Sequence, residues 1–162
     1  LAFIRLLWFD RYAETPPVRM TLDPRSVRHE VYVEGDALVS SASVIRTTVE
    51  LGNETLTCYG LSGVMTYPFF RKRGLGGDLR DKVTEFIAAQ PEADLGLLWT
   101  RVAPFYAAQG WVSIEGGERV YGDRANPTVR DETTMMLFLS NRANALRPAL
   151  ERDTLYVGER DW

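Results

Sequence analysis

A short basic, glycine-rich turn, Arg71-Lys72-Arg73-Gly74-Leu75-Gly76-Gly77, constrains the fold of this 162-residue chain more than any other segment. Pro68 stops an extended run just before it. After it, Leu75, Leu79, Val83, Phe86 and Ile87 fall on one face of a helix that Pro91 closes. A strand that turns through glycines into an amphipathic helix is a device for binding anions. The glycines let successive N–H groups converge on one point, and the helix N-terminus adds partial positive charge. The three cations raise the local potential, and a diphosphate is the natural guest. No Gly-Lys-Ser/Thr ending is present, so the turn is not a nucleotide-triphosphate loop. The strands before it form a meander rather than a parallel pair, which argues against a dinucleotide fingerprint. A glycine-rich turn with solvated basic side chains remains the plain alternative.

The rest of the chain supplies the frame. Phe3, Leu6, Leu7, Trp8 and Tyr12 have helical spacing over residues 3–12, ended by Pro16-Pro17, with a loop or short helical turn over 21–26. His29 to Glu34, Ala37 to Glu50 and Thr55 to Tyr67 are expected strands, joined by turns at Gly35-Asp36 and Leu51 to Glu54 into an antiparallel meander. Leu95 to Trp99 is a short apolar run of the buried-strand kind. Pro104 opens a helix that ends before Gly110. Trp111–Ile114 and Thr134–Leu139 are late strands on either side of an expected loop over 115–132. The order of helix, three strands, helix, strand, helix and strands predicts an α+β domain over residues 1–162, a mixed sheet carrying helices.

Composition closes off several functions. A net charge of -3 disfavours nucleic acid, and no apolar run approaches the roughly 20 residues that span a bilayer. No secretory leader is recognisable. One cysteine and one histidine leave no internal disulfide and no expected metal site. The expectation is a cytoplasmic protein without nucleic-acid or membrane partners, for which a homodimer stays open.

Gly63-Val64-Met65-Thr66-Tyr67-Pro68, the Arg71-x-x-Gly74-x-Gly76 turn and the later Phe105 to Trp111 segment together resemble the GNAT superfamily of N-acetyltransferases. The resemblance implies acetyl-CoA as co-substrate. It places the pyrophosphate on Arg71, Lys72, Arg73, Gly74, Leu75, Gly76 and Gly77, and implies two splayed strands near 63–66 and 95–99. The free edge of the first would pair with the pantetheine amides through Val64, Met65 and Thr66, and a backbone N–H there would face the acetyl oxygen.

More closely, the chain resembles the aminoglycoside 2′-N-acetyltransferases, although strongly only in the cofactor segment. Ser41 to Arg46 with Leu51-Gly52-Asn53, Leu95 to Leu98 with Tyr106 and Gly110-Trp111, Thr154-Leu155-Tyr156, and the ending on Asp161-Trp162 carry this resemblance. That family places a glutamate where this chain has Ser62, a departure that a serine cannot make good alone. The acidic cluster of the family's first helix has no positional match, although Asp10 and Glu14 are near. The family's first strand would precede Phe3, so Leu1 is expected to be a trimmed start. These departures point to a smaller acceptor amine, such as kasugamycin.

The resemblance implies Tyr106 as the acid that protonates the leaving thiolate. Glu50, Glu159, Asp161 and the terminal carboxylate of Trp162 are open as bases, with Glu50, Trp99, Asp161 and Trp162 expected around the acceptor. His29 and Cys58 read as structural residues. A peptide or lysine acetyltransferase and a non-catalytic acyl-CoA-binding module are the rival functions.

Overall fold

The computed structural model describes residues 25–35 and 37–160. The expected helix over 3–12, Asp10, Glu14, Asp161 and Trp162 lie outside those residues. Nine strands among the described residues form one mixed sheet. The meander is present as β1 (Ser26–Glu34), β2 (Ala37–Leu51) and β3 (Glu54–Thr66). β2 is long enough to serve two neighbours on one edge. Residues 37–45 pair with β1, and Glu50 and Leu51 pair with the last strand. Its other edge carries β3 in one antiparallel register from Leu51↔Glu54 to Ser43↔Ser62.

After the basic turn comes helix α1 (Leu75–Ala88), then β4 (Leu95–Thr100), parallel to β3. A short helix α2 (Ala103–Ala107) starts with Pro104 in its first turn and leads to β5 (Val112–Ile114). The expected loop over 115–132 contains two short strands, β6 (Arg119–Tyr121) and β7 (Thr128–Val129). β8 (Thr133–Phe138) lies between β4 and β5, helix α3 spans Asn141–Leu150, and β9 (Leu155–Tyr156) returns to β2. Helix α3 was not expected. Its signals are the Ser140 hydroxyl, which accepts from Ala143 N at 3.0 Å, and Ala143, Leu146 and Leu150 on one face. Pro148 inside it masks the pattern.

Two apolar clusters cover the two faces of the sheet. Leu79, Val83 and Ile87 of α1 pack on Ala42, Val44, Tyr59, Leu61 and Leu98, with Tyr106, Trp111 and Met135. Ala143 and Leu150 of α3 pack on Val49, Leu51, Leu56, Cys58, Leu95 and Leu97. Strand alternation explains the division, since Cys58 and Leu95 face one way while Tyr59 and Leu98 face the other. Gly96 is small because Trp111 lies on it. A Cβ there would sit 2.8 Å from the indole, whose Nε1 donates to Thr84 Oγ1 at 3.0 Å. No described helix is long and apolar enough to cross a membrane.

Candidate active site

The site begins where two strands part. β3 and β4 pair only at Cys58↔Leu95, Tyr59↔Gly96 and Gly60↔Leu97. Beyond Gly60, β3 runs on to Thr66, and beyond Leu97, β4 runs on to Thr100, without pairing to each other. A bulge helps to drive them apart. The β2–β3 register shifts between Ser43↔Ser62 and Ser41↔Met65, so Gly63 and Val64 oppose Ala42 alone. Gly63 takes φ +61°, a left-handed conformation costly for other residues, and such a bulge bends its strand. The arm of β3 from Leu61 to Thr66 therefore has no β4 ladder beside it, an arrangement suited to an extended amide-bearing ligand.

The basic turn sits at the far end of that arm. Arg71 Nε donates to Thr66 O at 3.1 Å, and Ser40 Oγ lies 2.8 Å from both Met65 O and Thr66 Oγ1. These bonds tie the strand end to its neighbour and to the turn. Lys72 and Gly74 both take positive φ, +63° and +82°, which reverses the chain into α1. No side chain caps that helix, and its first main-chain bond is Asp78 N to Gly74 O at 3.0 Å. The N–H groups of Leu75, Gly76 and Gly77 precede the ladder and are left for a ligand. Space in front of Gly74 is open to 4 Å around an added Cβ, whereas a Cβ on Gly76 would come 3.2 Å from Thr66 Oγ1. The turn is thus a cradle built from backbone. Arg73 stacks on Phe70 at 4.8 Å, and Arg71, Lys72 and Arg73 are all exposed.

The gap has two unlike sides. On the α3 side, Ser62 follows Cys58 by alternation and Trp99 follows Leu97, each two residues beyond the last pair. Arg130 lies over the Trp99 ring at 4.7 Å. On the α1 side are Leu61, Leu98 and Tyr106. The Tyr106 ring is 8% exposed and packs edge-on to Phe105 at 4.9 Å. Its hydroxyl makes no hydrogen bond to another described residue. Burial pushes the phenol up to about 12, against a smaller opposing pull from Arg80. Arg80 stacks on Phe105 at 4.6 Å and donates to Phe105 O, which fixes α2 against α1.

The structure brings Ser62, Val64, Met65, Thr66, Trp99, Tyr106 and the 71–77 turn around this gap, and leaves Glu50 elsewhere. Glu50 is five residues past Ile45, the β2 partner of Gly60, and lies on the closed side. At about 3.4 Å per residue that is about 17 Å along the strand. Arg124 grips it with two bonds of 2.9 and 2.7 Å, and those bonds hold its carboxyl below the usual range. The two line a cleft of about 410 Å³ with Tyr156, Glu159 and Arg160, so the C-terminal segment runs beside Glu50. Cys58 is fully buried, and its thiol is pushed up by burial alone. His29, read from sequence as structural, lies in β1 with Nδ1 2.8 Å from Ser43 Oγ. No group of metal-binding side chains is found among the described residues.

A solved structure shares this architecture. An aminoglycoside 6′-N-acetyltransferase complexed with coenzyme A superposes with a TM-score of 0.55 at 15% identity, covering 87% of this chain and 89% of that one. A GCN5-related N-acetyltransferase from Kribbella flavida matches 54% of this chain at 24% identity and a TM-score of 0.48. A probable N-acyltransferase from Enterococcus faecalis matches 56% at 19% identity and a TM-score of 0.47. The matched part of this chain spans 22% of the length of each of those two proteins. No curated protein matches the sequence significantly. The fold architecture supports acetyl-CoA as co-substrate and acetyltransferase chemistry in general, and the uncapped turn at the end of the β3 arm fits that molecule. The model of the acetyltransferase (GNAT) domain matches residues 11–114, most of the chain, and the chain belongs to that family.

Proposed function

We propose that this chain is an acetyl-CoA-dependent N-acetyltransferase whose acceptor is an amine of a small molecule, in particular an amino sugar of the aminoglycoside class. The parting of β3 and β4 beyond Gly60↔Leu97, with the uncapped α1 N-terminus at the end of the β3 arm, carries the reading. A pyrophosphate would lie on the N–H groups of Gly74 to Gly77, with Arg71, Lys72 and Arg73 adding charge. An extended amide chain would run along Val64, Met65 and Thr66. Tyr106 stands on one side of the gap as proton donor to a departing thiolate, and its raised phenol keeps that proton through neutral pH. Ser62 and Trp99 stand on the other side, where an acceptor amine would enter. The aminoglycoside class, and the 2′-amine within it, rest on the sequence resemblance.

The absence of a carboxylate at Ser62 favours one rival, a module that binds acyl-CoA without turning it over. Thiol release from acetyl-CoA, followed with kasugamycin, kanamycin, spermidine and a peptide amine, separates these readings. Release driven by kasugamycin or kanamycin is the expected result. Release driven only by the peptide moves the acceptor to protein termini, and tight binding with no release to any amine makes the domain a binding module.

A further inference from the structure

We propose that Ser43 and His29 form a proton relay that serves the Ser62 side of the gap, with His29 Nδ1 taking up the proton shed by the acceptor amine. The inference rests on the acetyltransferase reading and deepens it. Three strands bring the residues into one row. His29 of β1 is directly opposite Ser43 of β2, and Ser43 is directly opposite Ser62 of β3. Directly paired residues project from the same face, and adjacent strands lie about 4.8 Å apart, so the row crosses about 10 Å. Its first link is made, since His29 Nδ1 is 2.8 Å from Ser43 Oγ. Its last member, Ser62, is two residues beyond the final β3–β4 pair.

A serine hydroxyl is no proton sink near neutral pH, whereas an imidazole is, and His29 is the only histidine in the chain. Three carboxylates near the same strands are committed elsewhere. Glu50 is held by Arg124, Glu92 by Tyr59 and Arg46, and Asp94 by Thr57 N and Ser140. His29 is exposed, so it can return its proton to solvent.

The step balances. The amine nitrogen bonds to the thioester carbonyl carbon as the C–S bond breaks. The nitrogen's surplus proton passes through a water beside Ser62 to Ser43 Oγ, while the Ser43 hydroxyl proton moves to His29 Nδ1. The thiolate takes its proton from Tyr106 or from solvent. His29 acts through Ser43 and does not touch the amine.

The test compares wild type with His29→Gln, His29→Gly and Ser43→Ala. Thiol release is measured with kasugamycin and without any amine, when water is the acceptor. The expected outcome is a kcat about 10²-fold lower in all three variants, within the usual range for general-base assistance. Acetyl-CoA affinity by calorimetry should be unchanged. Added imidazole should restore part of the rate of His29→Gly and none of Ser43→Ala. Wild-type kcat in His29→Gln overturns the relay. If wild type uses neither kasugamycin nor another amine, the acceptor reading has failed, and the relay is judged on hydrolysis and on the single histidine's ¹⁵N spectrum. That spectrum should show Nδ1 unprotonated and shifted by Ser43→Ala. A protonated Nδ1 donating to Ser43 overturns the relay whatever the acceptor.

Discussion

Gly60 and Leu97 are the last residues that β3 and β4 share, and every site residue proposed for the gap lies at or beyond that pair. Past that pair the two strands have different obligations. β4 continues straight along β8 through Trp99↔Thr134 and Thr100↔Thr133. β3 follows β2 through a bulge. A strand that bends through a bulge turns away from a neighbour held straight, which widens the gap past Ser62.

Replacing Gly63 therefore tests the cause of the gap. Gly63→Val puts a β-branched residue at φ +61°, at a cost of about 1–3 kcal/mol, and nothing but the Met65 side chain at 4.0 Å crowds the new Cβ. The variant should fold, with a Tm lower by several degrees. If relieving the strain removes the bulge, β3 straightens toward β4 and acetyl-CoA affinity falls at least tenfold by calorimetry. Unchanged affinity would show that the opening does not depend on the bulge.

The cradle makes a second prediction. Gly76→Val places a Cβ 3.2 Å from Thr66 Oγ1 and two further methyl carbons beside it, against the hydroxyl that Ser40 holds at 2.8 Å. The strand end or the helix start must shift by a few tenths of an ångström, and the N–H groups of residues 75–77 shift with it. Acetyl-CoA affinity should fall more than tenfold while far-UV circular dichroism is retained. Gly74→Ala separates geometry from space, because its Cβ meets nothing within 4 Å but its φ of +82° is strained for alanine.

Tyr106→Phe should lower kcat by about 10²-fold or more with little change in acetyl-CoA affinity, the pattern of a proton donated only in the transition state. Its pH signature has a definite sign. Folding raises the phenol from about 10 to about 12, so the unfolded chain loses that proton first as pH climbs. Stability is fully retained below pH 10 and declines between about 10 and 12, by about 2–3 kcal/mol for this group. Denaturant titrations of wild type and Tyr106→Phe should diverge in that window, with the variant flatter. Parallel curves would return Tyr106 to simple packing.

The cradle was legible in the sequence because it depends on local signals, whereas the gap was implied only by the family resemblance. Pro68, the glycines of 74–77 and the one-sided apolar pattern after Leu75 describe a strand, a turn and a helix without reference to the rest of the chain. The His29–Ser43–Ser62 row was not legible, for a countable reason. The β1–β2 hairpin starts in the register Glu34↔Ala37, which would set His29 opposite Ala42, on the α1 face. A shift between Tyr32 and Val33 moves the register by one residue and sets His29 opposite Ser43. A one-residue shift exchanges the faces of a strand, and neither Tyr32 nor Val33 announces one. Helix α3 was hidden by Pro148, and β6 and β7 are too short to show a period.

Glu50 gives the last prediction, because sequence and structure place it differently. The sequence reading expects it, with Trp99, Asp161 and Trp162, around the acceptor. In the fold it sits on the closed side of the strands, bound twice by Arg124, whose guanidinium also stacks on Tyr156 at 4.2 Å. A carboxylate whose pKa is held down by such bonds is a poor proton acceptor, and one saturated by a guanidinium has few lone pairs left for an ammonium group. Glu50→Gln should therefore leave kcat and the acceptor KM within about twofold of wild type, measured with whichever amine drives thiol release best. Arg124→Gln in the same assay distinguishes a silent pair from a masked site, since it frees the carboxylate. If Glu50→Gln raises the acceptor KM tenfold while Arg124→Gln lowers it, the cleft beside Glu159 and Arg160 holds the amine. The acceptor would then reach the thioester from the closed side, by way of the C-terminal segment.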